Sequence, residues 1–147
     1  MEEIKAGDIM LGNWLSYTNE NGTFNLQVEE IRPTGIIVTW NGGFWFVSYD
    51  KLKPIPLTED MLLKAGGYKL PHMTVTDSVL FDIGRDRILS IGCIEDCNQM
   101  AWLQHIEGKK VTDLVCIHNY DYDGWLYLHT FQNLFKSLTG NDLKIEE

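Results

Sequence analysis

The clearest pattern of apolar and polar positions lies near the end of the chain. Apolar residues recur there at three- and four-residue spacing, at Trp125, Leu128, Phe131, Leu134, Phe135 and Leu138. This spacing predicts one amphipathic helix over about residues 123–139. Asp121 or Asp123 is placed to cap its first turn, and Gly140 to follow its last. Because so wide an apolar stripe is not stable in water, we expect the helix to lie on a sheet.

The first 57 residues read as short strands separated by turns. Residues 36–40 and 44–49 flank Asn41-Gly-Gly43, and Asn-Gly between two β-rich runs is a strong hairpin signal, since both residues tolerate positive φ. The second glycine also permits a three-residue loop with a bulge. Pro54 and Pro56 end the region because proline cannot donate to a strand ladder. Four or five such strands predict a small SH3-like barrel or a curled sheet.

The middle of the chain predicts a short helix followed by two more hairpins. Thr58 is placed to cap a helix that ends before Gly66. The two hairpins are centred on residues 84–86 and 107–110. Residues 97–106 also fit a helical period, although we prefer a strand there.

Together these elements predict an α+β fold with three parts. Residues 1–57 form a strand-rich β subdomain and residues 58–67 a linking helix. Residues 68–147 form an α+β subdomain, in which the terminal helix covers a second antiparallel sheet.

Two segments resemble those of a known group of proteins. Residues 54–66, PIPLTEDMLLKAG, resemble the PIPLTEEWLLKFGF segment of small uncharacterised proteins from gut bacteria and their phages or mobile elements. Residues 128–143, LHTFQNLFKSLTGNDL, resemble the VHQLQNLYFALTGEEL segment that ends those proteins. Met61 stands where the group often has Trp, Ala65 where it has Phe, and residues 68–120 match nothing in it. The resemblance implies a bacterial or phage source and a shared architecture, but no activity and no catalytic residues.

Composition narrows the class of protein. Twelve Lys and Arg against twenty-one Asp and Glu give a net charge of −9, which argues against binding nucleic acid or an anionic membrane. Three cysteines do not make a disulfide framework. The N-terminus lacks the apolar region of a secretory signal, and no apolar run approaches the roughly 18 residues of a membrane span. We therefore expect a soluble cytoplasmic protein without a cofactor.

Catalytic and metal-binding motifs are weak. Cys93, Cys97, Cys116 and His118 are the only arrangement that resembles zinc ligands, and Cys116 and His118 share a face in strand geometry. However, a Cys-x₃-Cys spacing is looser than a zinc knuckle, so we favour cysteines that pack as small apolar residues. An enzyme that uses cysteine or carboxylate chemistry stays the least favoured hypothesis, because no glycine-rich oxyanion turn accompanies any cysteine.

Polar residues on the flank of the terminal helix are a further candidate. His129, Gln132 and Asn133 form either a polar site beside a sheet or a set of structural hydrogen bonds to strand ends and loops. The structural interpretation is favoured, since buried polar groups are normally paired.

The aromatic residues of the predicted hairpin are the best functional candidates. Trp40, Phe44, Trp45 and Tyr49 crowd it together with Phe46, and alternation places some on each face. Either Trp45 and Tyr49 lie outside and the others inside, or the reverse. Filling the core is slightly favoured over forming a ligand or partner surface. Function is accordingly predicted as non-catalytic binding of a protein partner. The alternative is binding of a small planar ligand such as a nucleotide, with a homo-oligomer interface as one place for the site.

Overall fold

The computed structural model describes residues 4–69, 78–92, 94, 99–108 and 110–145. Contacts divide the chain into two compact units. The first unit comprises Met1–Pro56 and Tyr127–Ser137, and the second comprises Leu57–Leu126 and Leu138–Glu147. Antiparallel sheets make up most of both, with few helices, which confirms the predicted α+β class.

Six strands form the sheet structure of the first unit. They are β1 (Trp14–Asn19), β2 (Gly22–Gln27), β3 (Glu30–Arg32), β4 (Gly35–Trp40), β5 (Gly43–Ser48) and β6 (Leu52–Lys53). Hydrogen bonding orders them as two sheets, β2-β1-β6 and β3-β4-β5.

The two sheets follow one another along the chain and contribute residues to one core. The chain passes between them at Val28, whose N–H donates to Asn13 O at 2.8 Å, and Glu29, whose N–H donates to Ile37 O at 2.9 Å. Among the strands that the structure describes, β5 and β6 do not pair, so the ladder stays open between them. The predicted strand-rich half with antiparallel sheets is confirmed as two three-stranded sheets.

The hairpin between β4 and β5 has the turn that its sequence predicts. Trp40 pairs with Gly43, which leaves Asn41 and Gly42 as a two-residue turn. Their φ angles of 47° and 78° are those of a type I′ turn, whose twist matches that of the flanking strands. The second glycine therefore begins β5, and the three-residue alternative is not adopted.

The core of the first unit follows from strand alternation. Ile36 and Val38 are fully buried on one face of β4, and Leu15 is fully buried on β1. The rest of this core is apolar as well: Ile4, Ile9, Leu26, Val28, Val47 and Leu52.

The terminal helix begins later than predicted and belongs with the first unit. It is α3 (Leu128–Thr139), preceded by a separate short helix α2 (Tyr120–Asp123) in which Asn119 is the N-cap. Gly124, at φ 75°, ends α2, so Trp125 lies outside the helix and is 42% exposed. The predicted range of 123–139 was wrong at its start, because Asp121 and Asp123 lie within α2 and the Asp123 carboxylate accepts from Asn119 N–H.

The contacts also revise the predicted grouping of residues 68–147, which placed this helix on the second sheet. Tyr127–Ser137 group with the first unit, and Leu128 N–H donates to Ile55 O at 2.9 Å. An apolar stripe indicates that a helix packs against another element, but it does not indicate which sheet that element is.

The second unit contains a short helix and a four-stranded meander. The helix α1 (Glu59–Lys64) is capped by Thr58, whose hydroxyl accepts from Met61 N–H. The strands are β7 (Val79–Gly84), β8 (Arg87–Gly92), β9 (Met100–Glu107) and β10 (Lys110–Asn119), in the order β10-β9-β8-β7. Both predicted hairpins are confirmed, and β9 shows that the strand alternative was right for residues 100–106. No helix in the described part of the chain is long and apolar enough to cross a bilayer.

Candidate functional site

A groove of about 340 Å³ opens in the first unit, beside the ends of its two hairpins. It is formed by β1, β2, the turn between them, β4 and β5. The lining residues are Tyr17, Asn19, Asn21, Phe24, Leu26, Val38, Trp40, Trp45, Phe46 and Val47. All are aromatic, aliphatic or amide residues, so the groove offers apolar surface and amide hydrogen bonds but no charge.

Strand register builds the aromatic wall of this groove. Tyr17 lies opposite Phe24 in the β1–β2 pair. Phe24 in turn meets Trp40 of β4 edge to face, with ring centroids 4.9 Å apart and planes at 86°. Such a geometry places the positive edge of one ring on the negative face of the other, which fixes both rings. Leu26 and Val38 lie buried in the lining, so a ligand in the groove would rest on the core itself.

Trp45 is held at the edge of the groove while much of its ring stays open to solvent. Its indole Nε1–H donates to Trp40 O at 3.2 Å, across the end of the hairpin. The side chain is nevertheless 58% exposed. Because its only polar group already has a partner, the indole offers an apolar face that needs no further polar contact on binding.

The side chains of Phe44 and Phe46 alternate with that of Trp45 and so lie on the other face of β5, although Phe46 also contributes to the groove lining. They are 78% and 51% exposed. Three consecutive aromatic residues are therefore exposed, whereas alternation alone predicts that one set is buried. The core interpretation is wrong for these three residues and holds in part for Trp40, which is half-buried.

Tyr49, the fourth predicted aromatic, takes a structural role outside the groove. It begins the 3₁₀ turn Tyr49–Lys51 after β5, and its hydroxyl donates to Arg32 O at 2.6 Å. Its ring packs against the core, and this burial raises the pKa of Tyr49. The structure thus brings Trp40 and Trp45 together and leaves Phe44 and Tyr49 elsewhere.

The sequence analysis missed seven of the ten lining residues: Tyr17, Asn19, Asn21, Phe24, Leu26, Val38 and Val47. A signal was present, because the turn at residues 19–22 predicts a first hairpin whose strands carry Trp14, Tyr17 and Phe24. The sequence does not show that this hairpin lies beside the second one in the fold.

The polar flank of α3 is used for structural hydrogen bonds. Gln132 Oε1 accepts from Trp14 N–H at 2.9 Å, and its Nε2 donates to Gly12 O at 3.2 Å. Asn133 Oδ1 accepts from Asn13 Nδ2 at 2.8 Å, and its own Nδ2 donates to Asp8 O at 3.3 Å. The two amides therefore satisfy the turn that precedes β1.

His129 is the buried titratable group of this flank. The residue is 6% exposed, and its ring stacks on Tyr127 with centroids 6.2 Å apart. Burial lowers the pKa of His129, and the negative charge of Asp8 partly opposes that shift. Nδ1 is buried and has no hydrogen-bond partner among the described residues. Burial therefore favours the neutral form of the imidazole.

The candidate zinc ligands are only partly within the described residues, since Cys93 and Cys97 lie outside them. His118 is buried, and its Nε2–H donates to Gly124 O at 2.8 Å. Cys116 Sγ contacts His118 O at 3.4 Å, with a register shift between the two residues. Within residues 4–69, 78–92, 94, 99–108 and 110–145, no group of three or more His, Cys, Asp or Glu is placed to hold a metal ion.

No family model, curated protein or solved structure matches the chain. The choice of candidate site therefore depends on geometry alone. Of the two regions singled out in the first unit, the aromatic groove has surface available for binding.

Proposed function

We propose that this protein is a non-catalytic binding protein whose aromatic groove receives an uncharged apolar or aromatic side chain of a protein partner. The observation that carries the proposal is Trp45, which is 58% exposed yet held by a hydrogen bond at the edge of an uncharged groove. A bacterium, phage or mobile element is the source that the sequence resemblance implies.

The groove has the properties of a protein-recognition hot spot. Tryptophan and tyrosine dominate such sites because they bury a large apolar area with few rotatable bonds. Here the rings of Phe24 and Trp40 are fixed by each other, and Trp45 is fixed by its own N–H bond. Binding would therefore order few side chains, which lowers its entropic cost.

A small planar ligand is the second candidate, and the volume of the groove favours it. About 340 Å³ falls at the lower end of the range for small-molecule sites, enough for a nucleobase but not for a whole dinucleotide. Asn19 and Asn21 supply amides that could read the edge of such a ring. Since no cation lines the groove, an uncharged base or nucleoside fits it better than a phosphate-bearing nucleotide.

Selection from a random peptide library on the immobilised protein tests the first candidate. Selected peptides should carry an aromatic or large aliphatic residue, and Trp45→Ala should weaken them by on the order of 30-fold, as for a hot-spot tryptophan. Trp125→Ala is the matched control, because Trp125 is a comparably exposed tryptophan of the second unit. Equal weakening by both variants, or none by Trp45→Ala, would overturn the proposal.

The second candidate needs a different probe. The indole N–H of Trp45 gives a resolved NMR signal that can be followed while uncharged nucleosides are added. A shift of this signal, without one at Trp125, would favour the ligand over the peptide. An unchanged spectrum across the nucleosides would eliminate it.

A further inference from the structure

The outer edge of β5 carries unpaired backbone groups. The two-residue turn makes Trp40 and Gly43 a hydrogen-bonded pair, and every second pair along the hairpin shares that character. Tyr49 N–H donates to Thr34 O, which continues the same alternation beyond the strand. The N–H and C=O groups of Phe44, Phe46 and Ser48 therefore point away from β4. In the described part of the chain, no strand pairs with this side of β5.

This edge lacks the protection that sheet edges usually have. Natural edges are guarded by charge, proline, bulges or short length. In this protein β3 exposes Glu30 and Arg32, and β10 carries exposed Asp113 and two register shifts. Among the described residues, the edge strands β3 and β10 therefore expose charged side chains, and β10 exposes Leu114 and Val115 as well, whereas β5 exposes Phe44, Trp45 and Phe46 without any charge in the strand.

We infer that β5 pairs antiparallel with β5 of a second copy of this chain, which joins the two β3-β4-β5 sheets into one sheet of six strands. The edge of an antiparallel strand can pair with a copy of itself that is related by a two-fold axis. The same strand therefore supplies both sides of the interface. With Trp45 on the two-fold axis, Phe44 lies opposite Phe46 of the second copy. The outward backbone groups of these two residues then form the hydrogen-bonded pairs.

Charge favours a second copy at this edge. The strand itself is uncharged, so two copies meet without like charges in the ladder. By sequence, the first unit has seven Asp and Glu against five Lys and Arg, a net of −2, while the second unit has fourteen against seven, a net of −7. Most of the repulsion between two chains of charge −9 therefore arises outside the unit that pairs. Added salt should screen that repulsion and strengthen the dimer.

The exposed area agrees with a dimer of modest affinity. The three aromatic side chains together expose about 400 Å², given the area that such side chains can bury. That is about half of the roughly 800 Å² that each partner contributes to a standard interface. The strand backbone and its flanks would supply the rest.

Sedimentation velocity over a range of protein concentrations tests the inference. The wild type should form a concentration-dependent dimer, and Phe44→Lys should raise its dissociation constant roughly tenfold or more, because a buried lysine would face an aromatic ring. Leu114→Lys is the matched control, since Leu114 is an exposed apolar residue (46%) on β10. Phe44→Thr, which replaces the ring by a small β-branched residue that is compatible with a strand, is the second variant if lysine disturbs folding.

Amide hydrogen exchange shows whether the edge itself is paired. In the dimer the amides of Phe44 and Phe46 should exchange slowly, and in Phe44→Lys they should exchange quickly. The amides of Trp45 and Val47, bonded to β4, should stay protected in both. A monomeric wild type, a dimer with fast exchange at Phe46, or dissociation by Leu114→Lys alone would each overturn the inference. Failure here leaves the groove proposal standing, because that is tested by Trp45→Ala and added ligand.

Discussion

Two regions of the first unit were singled out by sequence, and the structure uses them in opposite ways. On the flank of α3, the side-chain amides of Gln132 and Asn133 form hydrogen bonds with the turn before β1. In the β4–β5 hairpin, Trp45 and Phe44 keep most of their surface open. Residue type alone did not show which of the two regions is structural and which is available for binding. What separates them is whether each side chain's capacity for interaction is already used within the chain.

This difference has a physical basis. A buried amide stabilises the fold only if it is paired, so the pairing of Gln132 marks it as structural. An exposed aromatic ring is poorly solvated by water, so its burial against a partner is favourable. Residues of the helix flank should therefore govern stability, and residues of the hairpin should govern binding.

The largest effect expected is on stability, from the buried ring of α3. Phe131 is fully buried, so Phe131→Ala should lower the free energy of unfolding by about 3–5 kcal/mol, from lost burial and the cavity left behind. Phe44→Ala removes the same atoms at a site that is 78% exposed and should change stability by about 0.5 kcal/mol or less. Urea unfolding of both variants measures the contrast. Equal losses would show that the hairpin is as structural as the helix.

A smaller loss is expected from the flank amide. Gln132→Ala leaves Trp14 N–H without its partner and removes one of the two side-chain donors to Gly12 O, which should cost about 1–3 kcal/mol. The control is Gln27→Ala, because Gln27 Nε2 donates to the same Gly12 O at 3.1 Å but from an exposed position. If Gln27→Ala proved as damaging as Gln132→Ala, burial would not be what makes the flank structural.

The third effect is a pH dependence centred on His129. Its pKa in the fold is lowered by burial, so the unfolded chain binds the proton more readily than the folded one. The resulting stability is fully present above the ordinary histidine pKa of about 6.5 and is lost as pH falls toward the folded pKa. Thermal unfolding between neutral and mildly acidic pH should show this loss in the wild type. His129→Phe, which keeps a ring beside Tyr127, should show less of it, and an unchanged slope would contradict the assignment.

Local structure was predictable where a few neighbouring residues decide it. Asn41 and Gly42 fixed the turn type through their tolerance of positive φ, and Thr58 set the start of α1. The start of α3 was missed because Asp123 accepts from Asn119 N–H and so belongs to α2. A carboxylate near two helix starts does not indicate which one it caps.

The candidate site was predictable only in part, because exposure depends on distant segments. Alternation correctly placed Trp45 and Phe44 on opposite faces of one strand. It could not show that side chains on both faces of β5 stay exposed, with Phe44 and Phe46 on one face and Trp45 on the other. Nor could alternation predict that Phe24 of β2 contacts Trp40 of β4, because that contact joins two different sheets.

The smallest change expected comes from Trp45→Phe, and it sharpens the comparison most. The variant loses the hydrogen bond to Trp40 O but keeps an aromatic ring at a largely exposed site, so stability should fall by about 0.5–1 kcal/mol. If Trp45 binds through its ring face, this variant should retain more affinity for selected peptides than Trp45→Ala does. Equal loss of affinity in both variants would instead show that the hydrogen bond, by orienting the indole, is what the groove requires. Either result, with stability nearly unchanged, would place the role of Trp45 in binding, whereas a loss as large as that of Gln132→Ala would make it structural.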